Sequence, residues 1–270
     1  CWDLLSLDES LFAASLSGGF VFHRGQSEKF CLVQCYVLYR SPSQPGRIWV
    51  GTRDGVLSLT RTGTPGGNGT GQWKIERSYD EPRMAVRSIV EDKHGNLWLG
   101  SLSNGVVRLQ FPAGEDPASP GMSRYYTGKG LPEGETFLGP VNGRVAVCTY
   151  RGIFTFDVRQ NKFIPDPVLG KQFADGSRHV FRFARSPGKE IWFHSANANF
   201  RAIPNGKGDF RLIHTPYLRL PPTQVNGIYF EPSGHTAWLA GNEGLVRIDT
   251  RVEKDYHRRF NVFIRGLMVN

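Results

Sequence analysis

Residues Val86–Leu109, VRSIVEDKHGNLWLGSLSNGVVRL, carry the pattern that organises this chain. An alternating segment (Val86, Ser88, Val90) runs into the turn Glu91-Asp92-Lys93-His94-Gly95. The apolar run Leu97-Trp98-Leu99-Gly100 follows, and a polar turn closing on Gly105 opens a further strand at Val106. Period-two alternation bounded by turn residues predicts strands, with glycine supplying the positive φ that tight hairpins demand. The tryptophan run is apolar on both faces, which suits a strand packed between two neighbouring sheets. A large aromatic fixed at that place would fill the wedge between them.

The same grammar recurs along the chain. It reads PGRIWVGTRDGVLSL over Pro45–Leu59, NGRVAVCTYRGIFTFD over Asn142–Asp157, PGKEIWFHSANANFRAI over Pro187–Ile203 and SGHTAWLAGNEGLVRID over Ser233–Asp249. A weaker first copy, DESLFAASLSGGFVF, spans Asp8–Phe22. Aligning the second turn residue gives Gly19, Gly55, Gly105, Gly152, Asn199 and Gly244, at intervals of 36, 50, 47, 47 and 45 residues. Roughly 47 residues accommodate four strands of about five residues with their turns. No copy shows the i, i+3, i+4, i+7 spacing of a helix, and leucine-rich solenoids repeat faster. The predicted fold is therefore all-β: a β-propeller of four-stranded blades. Six copies make six blades, and seven if a preceding segment adds one. Trp49, Trp98, Trp192 and Trp238 read as structural wedges, and Gly55, Gly105, Gly152 and Gly244 as turn formers.

Composition narrows the function classes. The formal charge of +9 comes from 33 Lys+Arg against 24 Asp+Glu in 270 residues. The arginines are spread over every repeat without a block of like charge, so general surface basicity is favoured over a nucleic-acid site, which would cluster its cations. No run approaches the ~18 apolar residues of a membrane helix. The start at Cys1-Trp2-Asp3 reads as a piece of a longer protein. The four cysteines (Cys1, Cys31, Cys35, Cys148) lack zinc spacing. On one shared strand Cys31 and Cys35 would lie about 13 Å apart, beyond the ~7 Å limit for a bridge. They are expected to be buried free thiols, whereas a turn between them would permit a disulfide. No nucleophile triad, phosphate loop or metal spacing stands out, and no cofactor is implied.

The copies resemble the two-component regulator propeller repeat of bacterial hybrid sensors. Val86-Arg87-Ser88-Ile89, Glu91-Asp92, Gly95, Leu97-Trp98-Leu99-Gly100-Ser101 and Gly105-Val106 follow its pattern nearly in full, and Ile48-Trp49-Val50-Gly51-Thr52 with Gly55-Val56 is a second good match. The copies at Ala146, without tryptophan, and at Asn199, without glycine, depart from it. The resemblance implies residues 1–257 as the propeller. Residues 258–270 then open the tyrosine-rich immunoglobulin-like domain that follows such propellers, or close the ring. It further implies a periplasmic sensor segment of a membrane-anchored protein, with an oligosaccharide or other small-molecule ligand and an output domain beyond the membrane. A homodimer through the following domain is compatible with that organisation.

In a propeller, the turns between second and third strands share a face with the links that lead into each innermost strand. Candidate ligand-binding residues on that face are Arg53, Asp54, Asn104, Tyr150, Arg151, Asn242 and Glu243 from the turns, with Arg83 and His179 from the links. Arginine and tyrosine gathered at one mouth suit a sugar or a carboxylated glycan. Solvated turns are polar for the simpler reason that they are wet. Against sensing stand two alternatives. One is a propeller enzyme such as a polysaccharide or lactone lyase, for which Glu243 and His179 are the loose acid/base candidates; the other is a protein-interaction scaffold. This segment is expected not to be an enzyme.

Overall fold

Asp92 shows how one repeat becomes one hairpin. Its carboxylate accepts from the backbone N–H groups of His94 and Asn96, from the Asn96 amide and, at 2.9 Å, from the Trp98 indole Nε1. Burial pushes the Asp92 carboxyl up, but these donors outweigh it and hold it below the usual carboxylate range. The turn and the wedge tryptophan are thus fastened by a single side chain.

The computed structural model describes residues 1–61, 73–111, 118–220, 224–252, 254 and 256. They form six antiparallel sheets in chain order. The first holds β1 (Asp3–Leu7), β2 (Ser10–Ser15), β3 (Gly18–His23) and β4 (Gln26–Cys31). The second holds β5 (Cys35–Arg40), β6 (Arg47–Thr52), β7 (Val56–Arg61) and β8 (Trp73–Tyr79). The third, containing the stretch quoted above, holds β9 (Ser88–Glu91), β10 (Leu97–Gly100), β11 (Val106–Gln110) and β12 (Gly121–Tyr125). The fourth is β13 (Phe137–Val141), β14 (Arg144–Thr149), β15 (Gly152–Asp157) and β16 (Lys162–Pro165). The fifth is β17 (Val180–Arg185), β18 (Ile191–Ser195), β19 (Ala198–Pro204) and β20 (Phe210–Ile213). The sixth has three described strands, β21 (Val225–Phe230), β22 (Thr236–Gly241) and β23 (Gly244–Asp249). Helix is confined to short 3-10 turns among the described residues. The fold is a six-bladed β-propeller, in which β1, β5, β9, β13, β17 and β21 are the innermost strands.

The two-faced apolar strand works as its sequence predicts. In β10, Leu97 and Leu99 join the core shared with the second blade, whereas Trp98 joins the core shared with the fourth. In β6, Ile48 and Val50 face the first blade and Trp49 the third. In β18, Ile191 and Phe193 face the fourth blade and Trp192 the sixth. In β14, Ala146 stands where the tryptophan would be, and Phe137, Phe173, Phe193 and Phe200 fill that interface instead. Gly100 serves the same packing: a Cβ there would strike Ser88 Oγ and the carbonyl of Thr136, on the link into the next blade. Among the described residues no core cluster joins the sixth blade to the first, and Leu4, Leu11 and Phe22 on the first and Tyr229 and Leu245 on the sixth are exposed.

Four expectations need correcting. Asn199 is not the turn residue of the fifth blade: it lies in β19, paired with His194, and the positive-φ positions are Ala196 (46°) and Asn197 (64°). Ser195 pairs with Ala198 across that turn, so Ala198 is the true counterpart of Gly152 and Gly244, which makes the last two intervals 46 and 46. Likewise Gly18 (φ 129°), paired with Ser15, takes the place assigned to Gly19. Gly55 does not have the positive φ expected of it; it is required because a Cβ would meet the carbonyl of Tyr79 on the outermost strand. Finally, Cys31 ends β4 and Cys35 begins β5, so a turn, not a shared strand, separates them. Both thiols reach the Val33 carbonyl, at 3.7 and 3.3 Å, and both are free. The shared-strand spacing does not apply, because the chain reverses over residues 32–34 from one blade's outer strand into the next blade's innermost one. Residues 258–270, the expected start of a second domain, lie outside the described residues.

Candidate functional site

In four of the blades the turn between second and third strands is fastened to an incoming link or to the start of an innermost strand. Within the second blade the Arg53 backbone N–H donates to the Gln34 carbonyl at 3.0 Å, and the Val86 N–H, on the link into the third blade, donates to the Thr52 carbonyl at 2.9 Å. Thr136 repeats this on Ser101 at 2.8 Å. In the fifth blade Ser195 Oγ donates to the His179 carbonyl at 2.7 Å, and in the sixth Asn226 Nδ2 donates to Asn242 Oδ1 at 3.0 Å. Turns and links therefore lie on one face of the propeller, around the mouth of its axis.

The predicted residues occupy that face with differing partners. Arg53 and Asp54 form an exposed ion pair at 3.3 Å on the β6–β7 turn. Arg83 is exposed at φ 46° on the link before β9, and Asn104 is exposed on the β10–β11 turn, its backbone N–H held by Ser101 Oγ at 2.8 Å. Tyr150 and Arg151 cover each other, with the guanidinium 5.6 Å from the ring and Nε donating to the hydroxyl at 3.3 Å. His179 is exposed and meets Phe181 edge-on. Glu243 lines a cavity of about 60 Å³ between the fifth and sixth blades with Asn199, Leu220 and Leu239. That volume holds a few waters, well below the 300–1,000 Å³ of ordinary ligand pockets. Glu243 and His179 stand on separate blades with no contact between them, and no cluster of potential metal ligands occurs among the described residues.

A set of residues that sequence reasoning passed over lies nearer the axis. Arg87 precedes β9 and lays its guanidinium 3.6 Å from the Tyr36 ring centroid and 4.8 Å from that of Trp2. Arg182, on β17, sits 4.6 Å from the Phe137 ring and 5.5 Å from that of Phe181, with Nη1 3.5 Å from the Asn226 carbonyl. Arg87 of the third blade thus touches the first two blades, and Arg182 of the fifth touches the fourth and sixth. Trp2 and Tyr36 pack edge-on at 6.0 Å, and Trp2 is half exposed. Asp3 accepts from the Leu38 and Leu4 N–H groups; burial raises its pKa, opposed by those bonds and by the charge of Arg182. Burial lowers the pKa of Arg182, and the charge of Arg87 adds to that. The available signal was positional: both arginines lie on or just before an innermost strand.

Residues 80–103, spanning most of the quoted stretch, match the family described as Two component regulator propeller. The match covers one repeat, in the third blade. No curated protein matches it by sequence. Among solved structures, this propeller is similar to the extracellular domain of the hybrid two component system BT3049 from B. thetaiotaomicron. Identity is 16%, the TM-score is 0.63, and 90% of this chain and 32% of that one are covered. The extracellular domain of the hybrid two component system BT4673 from the same organism gives 17% and 0.61, covering 95% and 33%. The chain thus spans about a third of those two proteins' solved chains. Streptogramin B lyase shares the architecture at 14% identity and a TM-score of 0.51, covering 91% and 92%. These likenesses establish the fold; sensor domains and an enzyme are both built on it. No described helix is long and apolar enough to cross a membrane.

Proposed function

We propose that this propeller is the periplasmic ligand-sensing segment of a membrane-anchored bacterial signalling protein, and that its mouth receives a polar ligand of the oligosaccharide type. The observation that carries this reading is the gathering of hydrogen-bonding turns and links on one face, in a chain of which one repeat matches that of two-component regulators. Arg53, Arg151 and Tyr150 offer forked donors and an aromatic face, the groups that recognise sugar hydroxyls and carboxylates. Asp54, Arg83, Asn104, His179, Asn242 and Glu243 complete the rim. Ligand bound there would bridge several blades at once and so change their relative packing, a mechanical signal that a following domain could pass on. This assigns the segment to binding, not to catalysis. A calorimetric titration against a panel of bacterial and plant oligosaccharides tests it. Binding should weaken about tenfold in Arg53→Ala and in Arg151→Ala, the loss expected for one charged hydrogen-bonding group. Unchanged affinity in both variants would remove these turns from the site.

A further inference from the structure

We infer that Arg87 and Arg182 form an anion-binding pair at the axial mouth, built to take a carboxylate or sulfate group of the ligand. The inference rests on the reading that this mouth receives a ligand, and it names that ligand's chemical class. Elsewhere in the propeller, two arginines that stack on repeat tryptophans are neutralised by glutamate, whereas Arg108, 5.1 Å from the Trp98 ring, makes no ion pair among the described residues. Arg47, 5.3 Å from the Trp49 ring, holds Glu76 in two bonds of 2.9 and 2.7 Å. Arg201, 5.7 Å from the Trp192 ring, holds Glu190 at 2.8 and 2.7 Å. At the axis the stacking is kept and the carboxylate is not: neither Arg87 nor Arg182 makes an ion pair among the described residues.

Their Nε atoms are buried without a hydrogen-bond partner, as are those of Arg47 and Arg108, but Arg47 has its charge matched by Glu76. A buried donor left unpaired on a charged group is costly, and two like charges that sense each other add to that cost. Asp3 and Glu135 act on Arg182 from a distance, and the Asp3 oxygens are already engaged by backbone donors. An anion entering between the guanidiniums would supply the missing acceptors and separate the charges. The rings of Tyr36, Trp2 and Phe137 hold the forks flat and screen them from water, which strengthens a charge-assisted bond. The same rings would face the apolar side of a sugar carrying the anion.

The test titrates the protein at low ionic strength with sodium sulfate, with a galacturonic acid oligomer and with a galactose oligomer of matched length. Calorimetry and the fluorescence of Trp2, assigned with Trp2→Phe, are the readouts. Arg87→Gln and Arg182→Gln are compared with Arg87→Lys and Arg182→Lys after thermal unfolding has shown each to be folded. The expected result is binding of the galacturonic acid oligomer, the sulfate ion or both, weakened at least about tenfold by either glutamine variant and less by lysine. Sulfate alone bound and lost in this way supports the anion pair while overturning the oligosaccharide reading. The galactose oligomer bound equally well, with both glutamine variants unaffected, overturns the anion pair and leaves the sensing reading standing. No response to either anion overturns the pair outright.

Discussion

The third and sixth blades carry the same grammar and meet different fates. In the third, Trp98 is almost wholly buried and touches Tyr125, Phe156 and Phe163 at centroid distances of 5.0–5.9 Å. In the sixth, Trp238 makes the equivalent indole bond, to Glu231 Oε1 at 3.0 Å, yet it is only partly buried and meets no aromatic ring among the described residues. The cap is local and forms in both; the wedge needs a neighbour and is complete only in one. A repeat therefore encodes half of each interface, and the adjoining blade decides what that half is worth.

The largest expected effect attacks that difference directly. Trp98→Ala should cost about 4 kcal/mol, as large aromatic truncations in a packed core do, whereas Trp238→Ala should cost about 1 kcal/mol. Urea unfolding of the two variants checks this, and equal losses would show that Trp238 is as well packed as Trp98. A smaller pair of effects concerns the second turn glycine. A Cβ at Gly105, at φ 68°, would strike the Tyr125 carbonyl, whereas at Gly244, at φ 119°, it would meet nothing within 4 Å. Gly105→Ala should lose about 2 kcal/mol and Gly244→Ala about 1 kcal/mol, the second from backbone strain alone. Thermal melts of both variants measure the gap, and its absence would place an outer strand over Gly244.

The smallest effect lies at the fifth blade, between the well-packed and the open parts. His194 is buried and hydrogen-bonded to Asn199 at 3.1 Å, and burial lowers its pKa from the ordinary 6.5. The unfolded chain then binds a proton more readily than the folded one, so stability rises with pH in this window. The contribution is complete above about pH 6.5 and fades as the pH falls through the depressed value. His194→Gln should flatten the stability profile just below pH 6.5 while leaving that at pH 8 nearly unchanged, as followed by denaturant midpoints. An unflattened profile would assign the acid sensitivity to other groups.

How much was legible in the residues varied with the range of the interaction. The Leu97-Trp98-Leu99 run announced a strand buried on both sides, because alternation fixes which side chains share a face. The Asp92 turn and the polar mouth turns were equally legible, because turn chemistry is local. The positive-φ position of the fifth blade was misread by two residues, since Asn197 tolerates the left-handed conformation as well as Asn199 would, and the strand pairing decides which of them takes it, with Ala196 held there too. The Cys31–Cys35 spacing was misread because a blade-to-blade reversal, without glycine or proline, falls between them.

The sequence by itself determined the period, the blade and the wedge residues, since each follows from contacts within some four dozen residues. The tertiary structure alone decided that Arg87 lies on Tyr36 and Trp2, that Arg182 lies on Phe137 and Phe181, and that neither meets a carboxylate. Apart from that of Arg182 with its neighbour Phe181, those contacts join residues tens of positions apart on different blades, and only the arrangement of the blades about the axis brings them together.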